Sequence, residues 1–285
     1  MTKISVITDT DSSLPREIAA QYGLLQVPIS IHLDENFSGN DHTINNDALF
    51  RKVDAAGKLP TTAAPNPAVF VEYFKRVFEE QKPDTLVYFA ISSAMSGTIQ
   101  SAQIAAEELK PLNIRVVDSG TLSMAQGFMV LAAAEAAGNG AAVEAVMNAA
   151  EDVRGRTVLY GALSTLKYLS MSGRVSHVAA GLAGMLAIKP ILSVRDGKLD
   201  MLEKVRTRSK SWQRMLELLR ADVGGRAIEK MAVLHVNDAP AARQFEALLK
   251  AELDCPAEMP LVEINPGLSV HTGAGLVGVC AVFGK

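Results

Sequence analysis

The sequence predicts an α/β fold in two domains. Residues 1–155 form an N-terminal three-layer α/β/α sandwich with a mostly parallel sheet, and residues 156–285 a C-terminal α/β domain with a mixed sheet. Three observations predict it. As far as residue 153, short β-branched runs alternate with helical periodicity, the pattern of buried parallel strands joined by crossover helices. Beyond residue 156 the rhythm changes, and "ILSVRDGKLDML" places Asp196-Gly197 between two apolar runs, which signals a tight hairpin and therefore antiparallel strands. A chain of 285 residues that is 48% hydrophobic also has enough apolar side chains for two substantial cores.

Taken in order, Ile4 to Thr8, Leu24 to Ile31, Thr85 to Ile91 and Ile114 to Asp118 read as strands. Helical spacing fills the intervals at Arg16 to Tyr22, Ala68 to Glu80, Thr98 to Leu109 and Ser123 to Ala137. Gly138-Asn139-Gly140 then breaks the pattern before another alanine-rich helix. The stretch between Leu33 and Pro67 has weak periodicity, with one helical candidate at Asn46 to Ala55, and reads as a long loop of the kind that carries function. The join between domains is placed near Arg154 to Arg156. After it come a strand at Thr157 to Leu163, helices through Ala187, the hairpin and a helix at Ser209 to Val223. A strand at Lys230 to Val236, a helix at Pro240 to Leu253 and strands at Leu261 to Ile264 and Leu276 to Phe283 close the chain.

Acidic and basic residues are mixed along the chain and the net charge is -3, which leaves no electrostatic footprint for nucleic acid. No apolar stretch is long and unbroken enough for membrane insertion, and the first residues lead straight into a strand without a signal-peptide pattern. Cys255 and Cys280 stand in no metal-binding or redox spacing. Buried thiols in a cytoplasmic protein are the expectation, with no metal and no cofactor.

Chemistry is sought at the carboxyl ends of the strands, where α/β sheets place their ligands. "TDTDSS" (Thr8 to Ser13), "SSAMSGT" (Ser92 to Thr98) and "DSGTLS" (Asp118 to Ser123) fall there. Asp118, Ser123, Ser96 and Thr98 are the residue types that cap helices by default. Ser92 and Ser93 precede the turn and are less easily explained that way. Thr61 and Thr62 lie between Pro60 and Pro65, as a surface turn or a rigid pair of hydroxyl donors. His271 stands before the glycine-rich turn Gly273-Ala274-Gly275, and Arg174 heads a small-residue apolar stretch. Lys204, Arg206 and Arg208 alternate on what reads as a strand edge, either a solvated face or a surface for an acidic partner.

Taken together, "VITDTDSSLP", "LPTTAAPNP", "ISSAMSGTIQSA", "VDSGTLSMAQG", "YLSMSGRV", "AIKPILSVRDGKL", "VRTRSK" and "HTGAG" resemble, in order and spacing, the DegV family of bacterial fatty-acid-binding proteins. The resemblance implies a long-chain fatty acid held between two α/β domains, with Thr61, Thr62, Ser93 and His271 binding its carboxylate. It further implies Arg174 and Arg206 at a rim facing a separate ATP-dependent fatty acid kinase, which converts the presented acid to an acyl phosphate for phospholipid synthesis. In that arrangement this chain has no catalytic residue of its own. Ala63 and Ala64 stand where the family often has Ser and Gln, "SMSGR" lacks the lysines common there, and Ala274 replaces a usual proline. Two other classes remain open on the residues alone. One is a serine hydrolase with Ser93 as nucleophile and His271 as base, although no GxSxG elbow surrounds Ser93. The other is a binding module for a small phosphorylated metabolite, although no P-loop is present.

Overall fold

The structure is a computed structural model and describes residues 2–35, 37–172 and 188–285. β1 (Ile4–Asp9) runs into a single 3-10 turn (Thr10–Ser12) and α1 (Arg16–Gln21), and β2 (Leu25–Val27) follows. An excursion then carries β3 (Ser30–Asp34), β4 (Phe37–Asn40), α2 (Asn46–Ala56) and β5 (Thr61–Ala63). Next come α3 (Pro67–Gln81), β6 (Thr85–Ala90), α4 (Thr98–Glu108), β7 (Ile114–Asp118), α5 (Ser123–Gly138) and α6 (Val143–Gly155). Beyond the join lie β8 (Thr157–Ala162), α7 (Lys167–Ser172), β9 (Lys189–Arg195), β10 (Lys198–Val205), α8 (Arg208–Val223) and β11 (Ile228–His235). The chain ends with α9 (Ala239–Glu252), β12 (Leu261–Glu263), α10 (Pro266–Thr272) and β13 (Val277–Phe283).

The first sheet has the order β2-β1-β6-β7 and is parallel throughout. The second has six strands in the order β10-β9-β8-β13-β11-β12; β11 and β12 are parallel and the other pairs antiparallel, so the sheet is mixed. Asp196 and Gly197, both at positive φ, make the β9–β10 turn, as the dipeptide predicts.

Several expectations are corrected. Leu24 to Ile31 is not one strand, because Pro28 has no N–H to continue a ladder; β2 ends before it and β3 starts beyond it in another sheet. The supposed long loop after Leu33 is largely ordered, since β3 pairs with β4 and β5 in a third, antiparallel sheet. Its strands have only five, four and three residues, too few to show a period of two. The basic trio does not share one strand. β10 stops at Val205, Arg206 is exposed in the following bend, and the Thr207 hydroxyl accepts the Lys210 N–H at 3.3 Å, so that Arg208 opens α8. Arg208 is paired with Asp238 at 2.9 Å. The helix α10 was not expected; Asn265 precedes it and Pro266 starts it. The expected helices beyond Ser172, as far as Ala187, lie outside the described residues.

Side-chain alternation along the second sheet sorts its residues to two faces. Tyr160, Ile191, Met231, Val233 and Val279 pack with Met215 and Leu219 of α8 and Phe245 and Leu249 of α9. Leu192, Ala232, Leu234 and Cys280 turn the other way and join a cluster that contains Met124, Phe128 and Met129 of α5 together with Val6, Val87 and Phe89 of the first sheet. The opposite face of the first sheet is covered by Phe70, Phe74 and Val77 of α3 and Ile99 and Ala102 of α4. α5 is therefore a shared layer, buried on all sides from Ser123 to Leu131. Its sequence fits that place, because a helix that is apolar all round belongs inside rather than on a surface.

Candidate functional site

An apolar cavity opens between the carboxyl ends of β1 and β6 and the α5-facing side of the second sheet. Ile91, Met95 and Leu122 line it from the first half, and Leu159, Leu192, Leu199 and Leu234 from the second. In the order β2-β1-β6-β7, β1 and β6 are the strands at which the connections change direction, the position where doubly wound sheets leave room for a ligand.

Polar groups are few. The short sheet sets Thr62 in this wall: β5 pairs with β3 at Ile31 and Thr62, and the alternation turns Thr61 away. Thr61 is exposed and donates its hydroxyl hydrogen bond to the His32 carbonyl at 3.1 Å. Helix α10 carries His271, whose Nε2 lies 3.0 Å from the Thr62 hydroxyl. One residue of α2 ties the helix down: Ser269 donates to the Asn46 side chain, and Asn46 in turn donates to the Ile264 carbonyl at 2.8 Å. Behind it, Gly273 has a φ of +80°, and a Cβ there would lie 2.2 Å from Cδ2 of Tyr168, so that ring on α7 packs directly on the glycine.

Ser93 is not in this cavity. It is exposed, its N–H donates to Asp118 Oδ1 at 3.2 Å, and it lines a neighbouring polar cleft with Ser92, Asp118 and Arg154. Asp118 also accepts the Gly120 N–H at 2.9 Å, as a residue satisfying a turn should. Three serines do line the cavity, Ser96, Ser123 and Ser193; Ser96 lies three residues beyond Ser93, and its hydroxyl is 2.8 Å from that of Thr98. The structure thus brings Thr62 and His271 together, and places Thr61 and Ser93 elsewhere. Arg206 is exposed beyond β10, and Arg174 lies outside the described residues. Ser93 and His271, the pair of the hydrolase alternative, thus line different clefts.

Sequence reasoning missed the polar floor beneath the cavity. Asn265 donates its two amide hydrogens to Asp41 at 2.7 Å and Asp11 at 3.3 Å, and accepts from the Ser13 hydroxyl at 3.2 Å. Ser123 donates to Ser13 at 3.2 Å, closing a chain of polar groups from α5 to α10. Asp9, Asp11 and Asp41 are all buried. Burial pushes Asp9 up to about 6, with the Asp41 charge adding to the rise, against hydrogen bonds from the Ile91 N–H, Tyr88 and Gln126. The available signal was "INPGLSVH", in which Asn before Pro marks a helix start shortly before the histidine. Among the described residues no group of His, Cys, Asp and Glu is arranged to hold a metal ion, and no helix is long and apolar enough to cross a membrane.

The family model described as "Uncharacterised protein, DegV family" matches residues 3–284. The chain belongs to the DegV family. A DegV domain-containing protein of Streptomyces coelicolor is 34% identical over 276 residues, covering 97% of each chain. One of Mycobacterium tuberculosis is 36% identical over 281 residues, covering 99% of this chain and 98% of its own. Among solved structures, a DegV family protein of Thermus thermophilus described for its fatty acid binding superposes with a TM-score of 0.88 at 30% identity, over 99% of this chain and 100% of that one. DegV of Bacillus subtilis, described as a fatty acid binding protein, superposes with a TM-score of 0.86 at 27% identity over the whole of both chains. The shared DegV architecture includes the parallel first sheet and the mixed second sheet.

Proposed function

We propose that this protein binds a long-chain fatty acid in the apolar cavity and presents its carboxylate to a separate ATP-dependent kinase for acyl phosphate formation, without catalysing that step itself. The observation that carries the reading is the composition of the cavity: apolar side chains, leucine foremost, over most of the wall, with Thr62 and His271 hydrogen-bonded to one another within it. The descriptions of the Thermus and Bacillus relatives as fatty-acid binding support the ligand class.

The energetics fit this division of labour. Burial of about fifteen methylenes at about 0.8 kcal/mol each contributes on the order of 12 kcal/mol before association costs of about 4 to 15 kcal/mol. A hydrogen bond to the charged head adds only about 1.5 to 3 kcal/mol. The tail sets affinity and the polar pair sets orientation. Orientation matters for phosphoryl transfer, which needs a positioned oxygen and charge stabilisation more than covalent help from the carrier. Thr62 and His271 offer a hydroxyl and a ring nitrogen to the carboxylate, so Thr62 and His271 remain head-group residues in this reading, and Ser96, which lines the cavity, takes the place of Ser93.

Native mass spectrometry of protein purified from a bacterial host tests the ligand. A co-purified fatty acid is expected; a phosphorylated small metabolite instead would replace this reading with the metabolite-binding one. Addition of a fatty acid kinase subunit and ATP to the loaded protein should then yield acyl phosphate, whereas release of that product without the kinase would make this chain an enzyme.

A further inference from the structure

Asp11 has no part in the fatty-acid reading, yet it lines the apolar cavity and is 4% exposed. Two more buried carboxyl groups, Asp9 and Asp41, stand near it, and counting donors separates the three. Asp9 accepts from Tyr88 at 2.8 Å, the Ile91 N–H at 2.9 Å and Gln126 at 2.9 Å. Asp41 accepts from Thr10 at 2.6 Å, Asn265 at 2.7 Å and the Ile29 N–H at 3.0 Å. Asp11 has, among the described residues, the second Asn265 hydrogen at 3.3 Å. Donors favour a carboxylate, while burial and like charges disfavour it. Of the three, Asp11 is therefore the one that keeps its proton to the highest pH.

The titratable groups around it are Asp9 at the end of β1, Asp41 beyond β4, Tyr88 on β6, and His271 and Tyr160 in the same cavity wall. Among the described residues no lysine or arginine lines the cavity to hold an aspartate anion. Burial first, then the charges of Asp9 and Asp41, push the Asp11 carboxyl well above the usual range.

We infer that Asp11 couples acyl binding to a proton: the cavity accepts an apolar chain while Asp11 is a neutral acid and disfavours it once Asp11 is a carboxylate. This rests on the fatty-acid reading above. A hydrocarbon chain that fills the cavity removes water from beside the carboxyl, and the ligand's own negative charge adds to that of Asp9 and Asp41; both favour protonated Asp11. Linkage is reciprocal, so what the ligand does to the proton the proton must do to the ligand.

Affinity for palmitic acid, measured by titration over a range of pH, is expected to be flat while Asp11 is protonated. Above the pKa of Asp11 in the unliganded protein it is expected to fall, approaching about ten-fold per pH unit. Calorimetry in that region, in buffers of different ionisation enthalpy, should show uptake of up to one proton per ligand bound. Asp11→Asn keeps the size and stays uncharged, so its profile should lose the fall; the ionisation of palmitic acid itself is common to both proteins and cancels. If Asp11→Asn does not fold, Asp11→Ser carries the same comparison. A fall that persists in these variants, or that vanishes only in His271→Asn, overturns the inference, as does a wild-type profile without any fall or proton uptake. Failure of the wild type to bind palmitic acid at every pH is a different result, and removes the fatty-acid reading together with the inference.

Discussion

Thr62 and His271 are 209 positions apart in the chain and 3.0 Å apart in the fold. If this pair holds the acid's head, Thr62→Val, which keeps shape and loses the hydroxyl, should weaken fatty acid affinity about ten-fold or more, in line with about 1.5 to 3 kcal/mol for a hydrogen bond to a charged group. An equilibrium titration with unchanged affinity would take the pair out of the head-group site. Asp9 makes a second prediction. Its carboxyl is raised from 3.8 to about 6, so the folded state holds a proton that the unfolded chain has released. The sign follows: its contribution is complete below about 4 and is lost as pH rises through about 6, on the order of 3 kcal/mol. Chemical denaturation between those pH values should therefore show a steeper decline with rising pH in the wild type than in Asp9→Asn. Thr62 and His271, the two expected site residues that the fold brings together, are those whose neighbours in sequence are informative, a proline bracket and a glycine turn. Ser93 and Ser96 differ by one helical turn in a run of hydroxyls, and only the direction in which the loop leaves β6 decides which of them reaches the cavity.

At the scale of elements, α5 meets the 3-10 turn after β1 in a close join. A Cβ on Gly127 would lie 3.0 Å from the Ser12 carbonyl oxygen and 3.1 Å from Leu14 Cδ2. Gly127→Val should destabilise by about 1 to 3 kcal/mol through overpacking, measured by urea denaturation. It should also move the loop that carries Asp11. Gly273→Ala has a more local effect: it must displace the Tyr168 ring, and the pairing of Tyr168→Ala with Gly273→Ala should recover part of the lost stability, which a double-mutant cycle reads directly. Elements of this kind were legible where the period was long enough. Most helices, and the strands β1, β6 and β7 of the parallel sheet, were expected within one or two residues, because the longer strands write a largely apolar run. The third sheet and α10 were not, since strands of three to five residues and a seven-residue helix leave too short a record of their periodicity.

For the whole molecule, the two halves do not have separate interiors. One cluster runs from Val6 and Phe89 through α5 to Leu192, Leu276 and Cys280. A fragment ending at residue 155 should therefore expose the second-sheet side of α5, bind a hydrophobic dye and aggregate. A monomeric fragment with a cooperative melt would show that the first half carries a sufficient core alone. Cys280 offers a probe of the intact protein, because burial pushes its thiol well above the ordinary range, while Cys255 is only partly buried. A thiol reagent is expected to label Cys255 under native conditions and Cys280 only at the rate of global opening.

The six-stranded sheet also behaves as a partition. Along β8 and β9, Leu159 and Leu192 face the cavity, while their chain neighbours Val158 and Ile191 belong to the layer under α8 and α9. Positions 159 and 192 can therefore vary in bulk without touching the helical backing. Such a wall lets descendants of one scaffold diverge in the length and shape of the cargo they carry while their foundations stay the same.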